Sequence, residues 1–285
     1  MQVPSNALIQ SLIVIESLPH GEKATGSALV NYLKSKGLDA VCYSVDTELL
    51  FVNAIQDAER RSRSLNQRVA LHFEVHGTSL GFALANDAVV PWHRVKRDLQ
   101  NLNFAQKNHL LVSMAVCSGL WLLFIMRATD VSPFGYLVAS QEELAESGIE
   151  RGFPVFYECL FAGQSVEDAT HQLNLAQNTD DYKVVSSEMM FARVWRKHFE
   201  EQTSPAFLRA RAERVFDALV SMGIVQAGAK QAVLDVYMKT LKEQQEPFFE
   251  KFREKFFMHE AHPENLTVFC PTYEEMGGKK AEGRG

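Results

Sequence analysis

The sequence predicts an α/β protein built on a mostly parallel sheet, followed by a helical C-terminal part. Three observations carry this. Short apolar runs rich in Val, Ile and Leu alternate with longer amphipathic stretches through about residue 200. Several of those runs are apolar on both faces, as strands buried between two helical layers require. From Ser204-Pro205 to about residue 258 charged residues separate apolar ones at helical spacing, without a convincing strand.

The elements follow in order. SLIVIESL (11–18) reads as a buried strand, and KATGSALVNYLKSKG (23–37) as a helix that Gly37 ends. DAVCYSV (39–45) is a second strand, and residues 46 to about 65 form a polar amphipathic helix. VALHFEVHG (69–77) is a third strand. LGFALANDAVV (80–90) makes a hairpin turning at Asn86-Asp87, before a helix over 92–102. HLLVSMAVCSG (109–119) is a fourth strand, YLVAS (136–140) another, and helices follow over about 153–162 and from Ser165. The expected organisation is a domain over 1–203, a helical region over 204–262, and an extended or disordered tail over 263–285.

Composition narrows the function classes. Hydrophobic residues make up 46% and charged residues 22% of the 285, enough for a large core without disulfides or metals. A formal net charge of -6 disfavours a general nucleic-acid binder, which needs a basic surface to displace counterions. The four cysteines Cys42, Cys117, Cys159 and Cys270 are scattered, with neither a CxxC pair nor a histidine at ligand spacing, so no metal is expected. From Leu110 to Met126 the chain runs 17 residues without a charge. A bilayer needs roughly 20, so a buried strand and helix explain the run better. No basic region precedes the first apolar stretch, and the chain is expected to be cytoplasmic and off the membrane.

Two strand ends stand out: His76-Gly77 closes the third strand, and Cys117-Ser118-Gly119 closes the fourth. In an open α/β sheet the functional crevice lies beyond the carboxyl ends of the strands. Alternation puts His72, Glu74 and His76 on one face, and Ser113, Ala115 and Cys117 on one face of the other strand. Cysteine attacks as a thiolate and needs an imidazole or cation beside it, while the developing oxyanion needs backbone N–H donors. Gly77 exposes its N–H for want of a Cβ, and the Cys117 N–H is the second candidate donor.

An apolar strand ending in His-Gly, then a hairpin, a helix and an apolar strand ending in Cys-Ser-Gly resembles the clan CD cysteine peptidases, with caspases, metacaspases and the bacterial CHAT proteases among them. PFGYLVASQEELAESG and GFPVFYECLFAGQSVEDATHQLNLAQ resemble the end of a CHAT domain, so the likeness spans roughly residues 8–178. It implies a three-layer α/β/α caspase-like fold. It further implies a cysteine endopeptidase with His76 as general base and acid, Cys117 as nucleophile and Gly77 as oxyanion donor, with no cofactor. The implied partners are a protein substrate and an activating or regulatory protein, in a regulated setting such as bacterial antiviral defence. One departure bears on specificity. Ala115 and Val116 precede the nucleophile where metacaspases place an Asp. The loop Ser140, Gln141, Glu142, Glu143 is the candidate substrate-binding substitute, because related enzymes line S1 with it; that gives an expectation of Lys or Arg at P1.

Other residues read as scaffold. Cys42 and Cys159 suit inert small hydrophobes, His72 and Glu74 suit supporting roles, and Arg193–His198 suits a solvated helix face. PFFEKFREKFF (247–257) reads as core or a partner interface. A second class of function stays open: a silent caspase-fold module that works by interaction.

Overall fold

A computed structural model describes residues 8–117, 119–140, 142 and 146–276. The chain divides into two compact units, residues 1–126 with 131–187, and residues 127–130 with 188–285.

The first unit is α/β. In chain order it contains β1 (Ser11–Ser17), α1 (Thr25–Ser35), β2 (Ala40–Ser44), α2 (Glu48–Ser64), β3 (Val69–Gly77), β4 (Gly81–Ala83) and β5 (Val89–Pro91). Then come α3 (Trp92–Ala105), β6 (Leu111–Met114), a 3-10 helix (Gly119–Ile125), β7 (Tyr136–Ala139), α4 (Glu146–Phe161), α5 (Val166–Gln177) and β8 (Lys183–Ser186). The sheet order is β2-β1-β3-β6-β7-β8, with β4 and β5 as a hairpin hung on β3. The pairs from β2 through β7 are parallel; β8 joins antiparallel. This mixed, mostly parallel sheet is compatible with a three-layer α/β/α arrangement.

Strand alternation sorts the core. Leu12, Val14, Ala70 and Ala115 pack with Leu29 and Leu33 of α1 and Phe153 and Phe156 of α4. Phe73 instead points toward α2, with its ring 6.3 Å from Phe51 and 5.0 Å from Phe82. Apolar burial of this kind stabilises by about 25 cal/mol per Å². α1 is seated by a carboxylate: Glu16, at the end of β1, accepts the Gly26 and Ser27 N–H bonds and the Ser27 hydroxyl. That satisfies orphan donors of the helix start and sets a negative charge on its positive end. A Cβ on residue 26 would lie 2.7 Å from Val14 and 3.0 Å from Glu16, so glycine is what lets helix and strand approach.

Three elements differ from expectation. β6 stops at Met114, and the chain turns rather than continuing as a strand to residue 119. α4 begins at Glu146, seven positions before the expected start, with Pro154 inside it. Proline there resembles a helix-start signal, and ESGIERG before it lacks an apolar period. β8 is too short and too polar in its surroundings to register as a strand.

The second unit is helical: α6 (Ser187–Thr203), α7 (Pro205–Ser221), α8 (Lys230–Glu243) and α9 (Gln245–Phe256). The change of character read at residue 204 falls inside this unit, because Phe191 and Trp195 of α6 join its aromatic core. Phe191 lies 5.5 Å from Phe249 and 5.2 Å from Phe256, and Trp195 lies 5.1 Å from Phe249. The Phe-rich stretch 247–257 is thus core at Phe249, Phe256 and Phe257. Residues 263–276 are not an extended tail. Pro263–Thr267 forms a 3-10 turn, and Phe269 and Tyr273 are buried, since both rings complete the same cluster. Residues 277–285 lie outside the described residues. Among the described residues no helix is long and apolar enough to cross a membrane.

Candidate active site

The candidate site lies where β3 and β6 end side by side. Their parallel register pairs His72 with Ser113 and Phe73 with Met114, and Ala115 N–H still reaches Phe73 O at 2.9 Å. The ladder ends there, and β3 runs on to Gly77 while the segment after β6 turns toward Cys117. Beyond that point the chains touch: a Cβ on residue 77 would lie 2.0 Å from the Cys117 carbonyl oxygen and 2.6 Å from Val116. Strand order reverses one pair over, between β1 and β3. β1 leads through α1 outward to β2, whereas β3 leads through α3 to β6 on its other side. Such switch points open a crevice at the carboxyl ends of strands.

His76 is half exposed, and its Nε2–H donates to the Glu22 carboxylate at 3.0 and 3.1 Å. An ionised carboxylate only accepts, so this contact places the proton on Nε2 and leaves Nδ1 as the acceptor in the neutral ring. Cys117 is partly buried and free of any disulfide. The Tyr182 phenol is pushed up first by burial, with a Gln177 hydrogen bond opposing and charge at Glu74, Cys117 and Asp181 adding. Burial pushes the Cys42 thiol up to about 11 and also raises Cys159.

Beneath the site runs a directional chain of buried hydrogen bonds. Glu74 is 2% exposed and accepts from His72 Nε2–H at 3.0 Å and from the Thr25 hydroxyl. His72 Nδ1 must then accept, and it takes the Ser113 hydroxyl at 2.7 Å. Ser113 in turn accepts from Tyr157, whose phenol burial holds protonated. Every donor meets an acceptor, as buried polar groups require. The chain ties the β3 and β6 ends to the start of α1, just after the loop that carries Glu22.

The candidate substrate residues fare differently. Ser140 is buried and its Oγ accepts the Glu142 N–H at 3.0 Å, so the hydroxyl shapes the loop from within. Glu142 is exposed; Glu143, Gln141 and Ser118 lie outside the described residues. Sequence reasoning missed Glu22, which contacts His76. Glu22 stands in a polar loop without periodicity, and its nearness to His76 depends on β1 and β3 being neighbours. Among the described residues no three His, Cys, Asp or Glu side chains converge as metal ligands.

No protein-family model matches the chain, and the curated proteins give no match either.

Proposed function

We propose that this chain is a cysteine endopeptidase of the caspase-like kind, cutting protein substrates through His76 and Cys117. The observation that carries the proposal is that β3 and β6 are parallel neighbours and that Gly77, just after His76, lies against the Cys117 backbone. Support comes also from Glu22, which turns the His76 acceptor nitrogen away from itself.

In this reading His76 Nδ1 takes the Cys117 thiol proton as Sγ bonds to the scissile carbonyl carbon. The carbonyl π pair moves onto oxygen, where the Gly77 and Cys117 amides stabilise it. Collapse of the tetrahedral intermediate breaks the C–N bond, and the leaving amine takes the proton back from His76. Water, deprotonated by the same imidazole, then hydrolyses the thioester. The chemistry uses no metal or organic cofactor. The caspase-like fold, a cytoplasmic setting and a role in a regulated pathway such as bacterial antiviral defence belong to the same proposal.

The test is mass spectrometry of a bacterial proteome incubated with the protein and, separately, with its Cys117→Ala form. Cleavages that need Cys117 are the expected result, and their P1 residue reads out specificity; Lys or Arg fits the acidic Glu142 loop. No Cys117-dependent cleavage, together with failure of a thiol-reactive probe to label Cys117, overturns the proposal and leaves an interaction module.

A further inference from the structure

The second unit contains a small pocket in which two polar side chains are electrostatically incomplete. α6, α7 and α9 enclose about 130 Å³ between His198, Gln202, Arg211, Gln245, Phe248 and Phe252. A 150 Å³ cavity admits a molecule of roughly benzene size, so this one has room for a compact group.

Two of its groups lack partners. Gln245 is 5% exposed, and its Nε2 donates to Leu241 O at 2.9 Å. That bond fixes the orientation of the amide, and Oε1 is left buried with no donor. Arg211 is half-buried, and among the described residues no carboxylate pairs with it. Its charge is nevertheless felt: His198 is held below its ordinary value first by burial and then by Arg211, with Glu201 opposing. A guanidinium in such a place calls for an anion, since its fork of donors matches paired oxygens. Gln245 Oε1 calls for a donor on the same ligand, because a buried acceptor left unmade costs about 1–3 kcal/mol. Neutral His198 supplies a further N–H.

We propose that this cavity binds inorganic phosphate. Hydrogen phosphate has both features: oxygens for Arg211 and His198, and a P–OH that donates to Gln245 Oε1. Sulfate matches its size and charge but carries no proton at neutral pH. A phosphate monoester, with its second pKa near 6, is mostly without one as well.

The site is tested by calorimetric titration of the full chain, in phosphate-free buffer at pH 7.5, with sodium phosphate, sodium sulfate and phenyl phosphate. Saturable phosphate binding is expected, at least about tenfold tighter than either competitor, the scale of one charge-assisted hydrogen bond. Arg211→Gln abolishes it, and Gln245→Met brings phosphate and sulfate to equal affinity. Arg211→Lys, which keeps the charge without the fork, weakens phosphate binding and guards against a misfolded Gln variant; thermal melts check all three. Absence of phosphate binding, equal affinity for sulfate in the unaltered chain, or unchanged binding in a folded Arg211→Gln protein overturns the assignment. Tighter phenyl phosphate binding overturns it in favour of a monoester site.

Discussion

Gly77 sits so close to Cys117 that a Cβ at position 77 would stand 2.0 Å from the Cys117 carbonyl oxygen. No side chain fits there without moving the turn that presents the thiol. Gly77→Ala is therefore expected to lower stability by about 1–3 kcal/mol, the range for overpacking a rigid contact. Labelling of Cys117 by a thiol probe should fall even where the variant is still folded. Urea melts and probe labelling measured side by side check this. Unchanged labelling would mean that the contact does not hold the thiol in place.

Glu22 and His76 are each about half exposed, at 45% and 49%. An exposed pair adds about 0–1 kcal/mol to stability, so Glu22→Gln should leave the melting temperature nearly unchanged. In the proposed peptidase its effect should instead fall on catalysis. An amide both donates and accepts, so it no longer selects the Nε2–H tautomer. We expect kcat/KM on a cleaved peptide to drop about tenfold, a fraction of the roughly 10²–10⁴ that a general base contributes. An unchanged kcat/KM would remove Glu22 from the machinery.

Much of the first unit was legible because its chemistry is local. Apolar runs bounded by turn residues gave the strands, and Asn86-Asp87 gave the hairpin, with Asp87 at φ 66°. Ser165 gave the start of α5, where it accepts the Asp168 N–H. His76 lies at the end of β3, as its apolar run predicts, whereas Cys117 lies past the end of β6. The alternation read for Ser113, Ala115 and Cys117 applies as far as Ala115, after which the chain leaves the strand. Glu22 was not legible: it reaches His76 only because β1 and β3 are neighbours, which a sequence pattern does not encode. β8 was missed because its burial comes from pairing with β7 rather than from its own hydrophobicity.

Thiol chemistry separates the cysteines. With its thiol raised to about 11 by burial, only about one Cys42 in three thousand is ionised at pH 7.5. Iodoacetamide at that pH is expected to modify exposed Cys270 and Cys117 well before Cys42, as peptide mapping would reveal. The linkage has a sign. The folded state keeps a proton that the unfolded thiol gives up near pH 9, so this group lowers stability as pH rises above 9. Early modification of Cys42 at pH 7.5 would contradict its burial among Glu16, Ser27 and the strands.

The Glu74 network predicts an asymmetric cost. Thr25→Val keeps the shape but strips the hydroxyl from one Glu74 oxygen, leaving a charged acceptor at 2% exposure without that partner. About 1–3 kcal/mol of stability should be lost, measured by urea unfolding. Glu74→Gln in the Thr25→Val background should recover part of it, since an amide is less costly to bury than a carboxylate. Additive losses in the double variant would show that Thr25 and Glu74 are not coupled.

Acid should weaken the second unit through two histidines. His198 is held below its ordinary value by burial, with Arg211 adding and Glu201 opposing. His259 is lowered by burial too; Arg253 adds, while the Phe269 carbonyl, Glu254 and Glu250 oppose. Both stay neutral in the fold and take up protons more readily once unfolded. The unfolded state then binds more protons below about pH 6.5, so stability present above that pH is lost as pH falls through the folded values. Glu188, raised by burial and by Glu275, acts in the opposite direction nearer its own range around pH 4.5, so the window to read is pH 7.5 to 5.5. Urea melts followed by near-UV circular dichroism should show the transition of the Phe191–Trp195–Phe249 cluster moving to lower urea across that window. His259→Gln keeps a donor for the Phe269 carbonyl, which His259 Nε2 now reaches at 2.9 Å, and should flatten part of the slope. A transition insensitive to pH over this window would mean that neither imidazole is shielded from protonation.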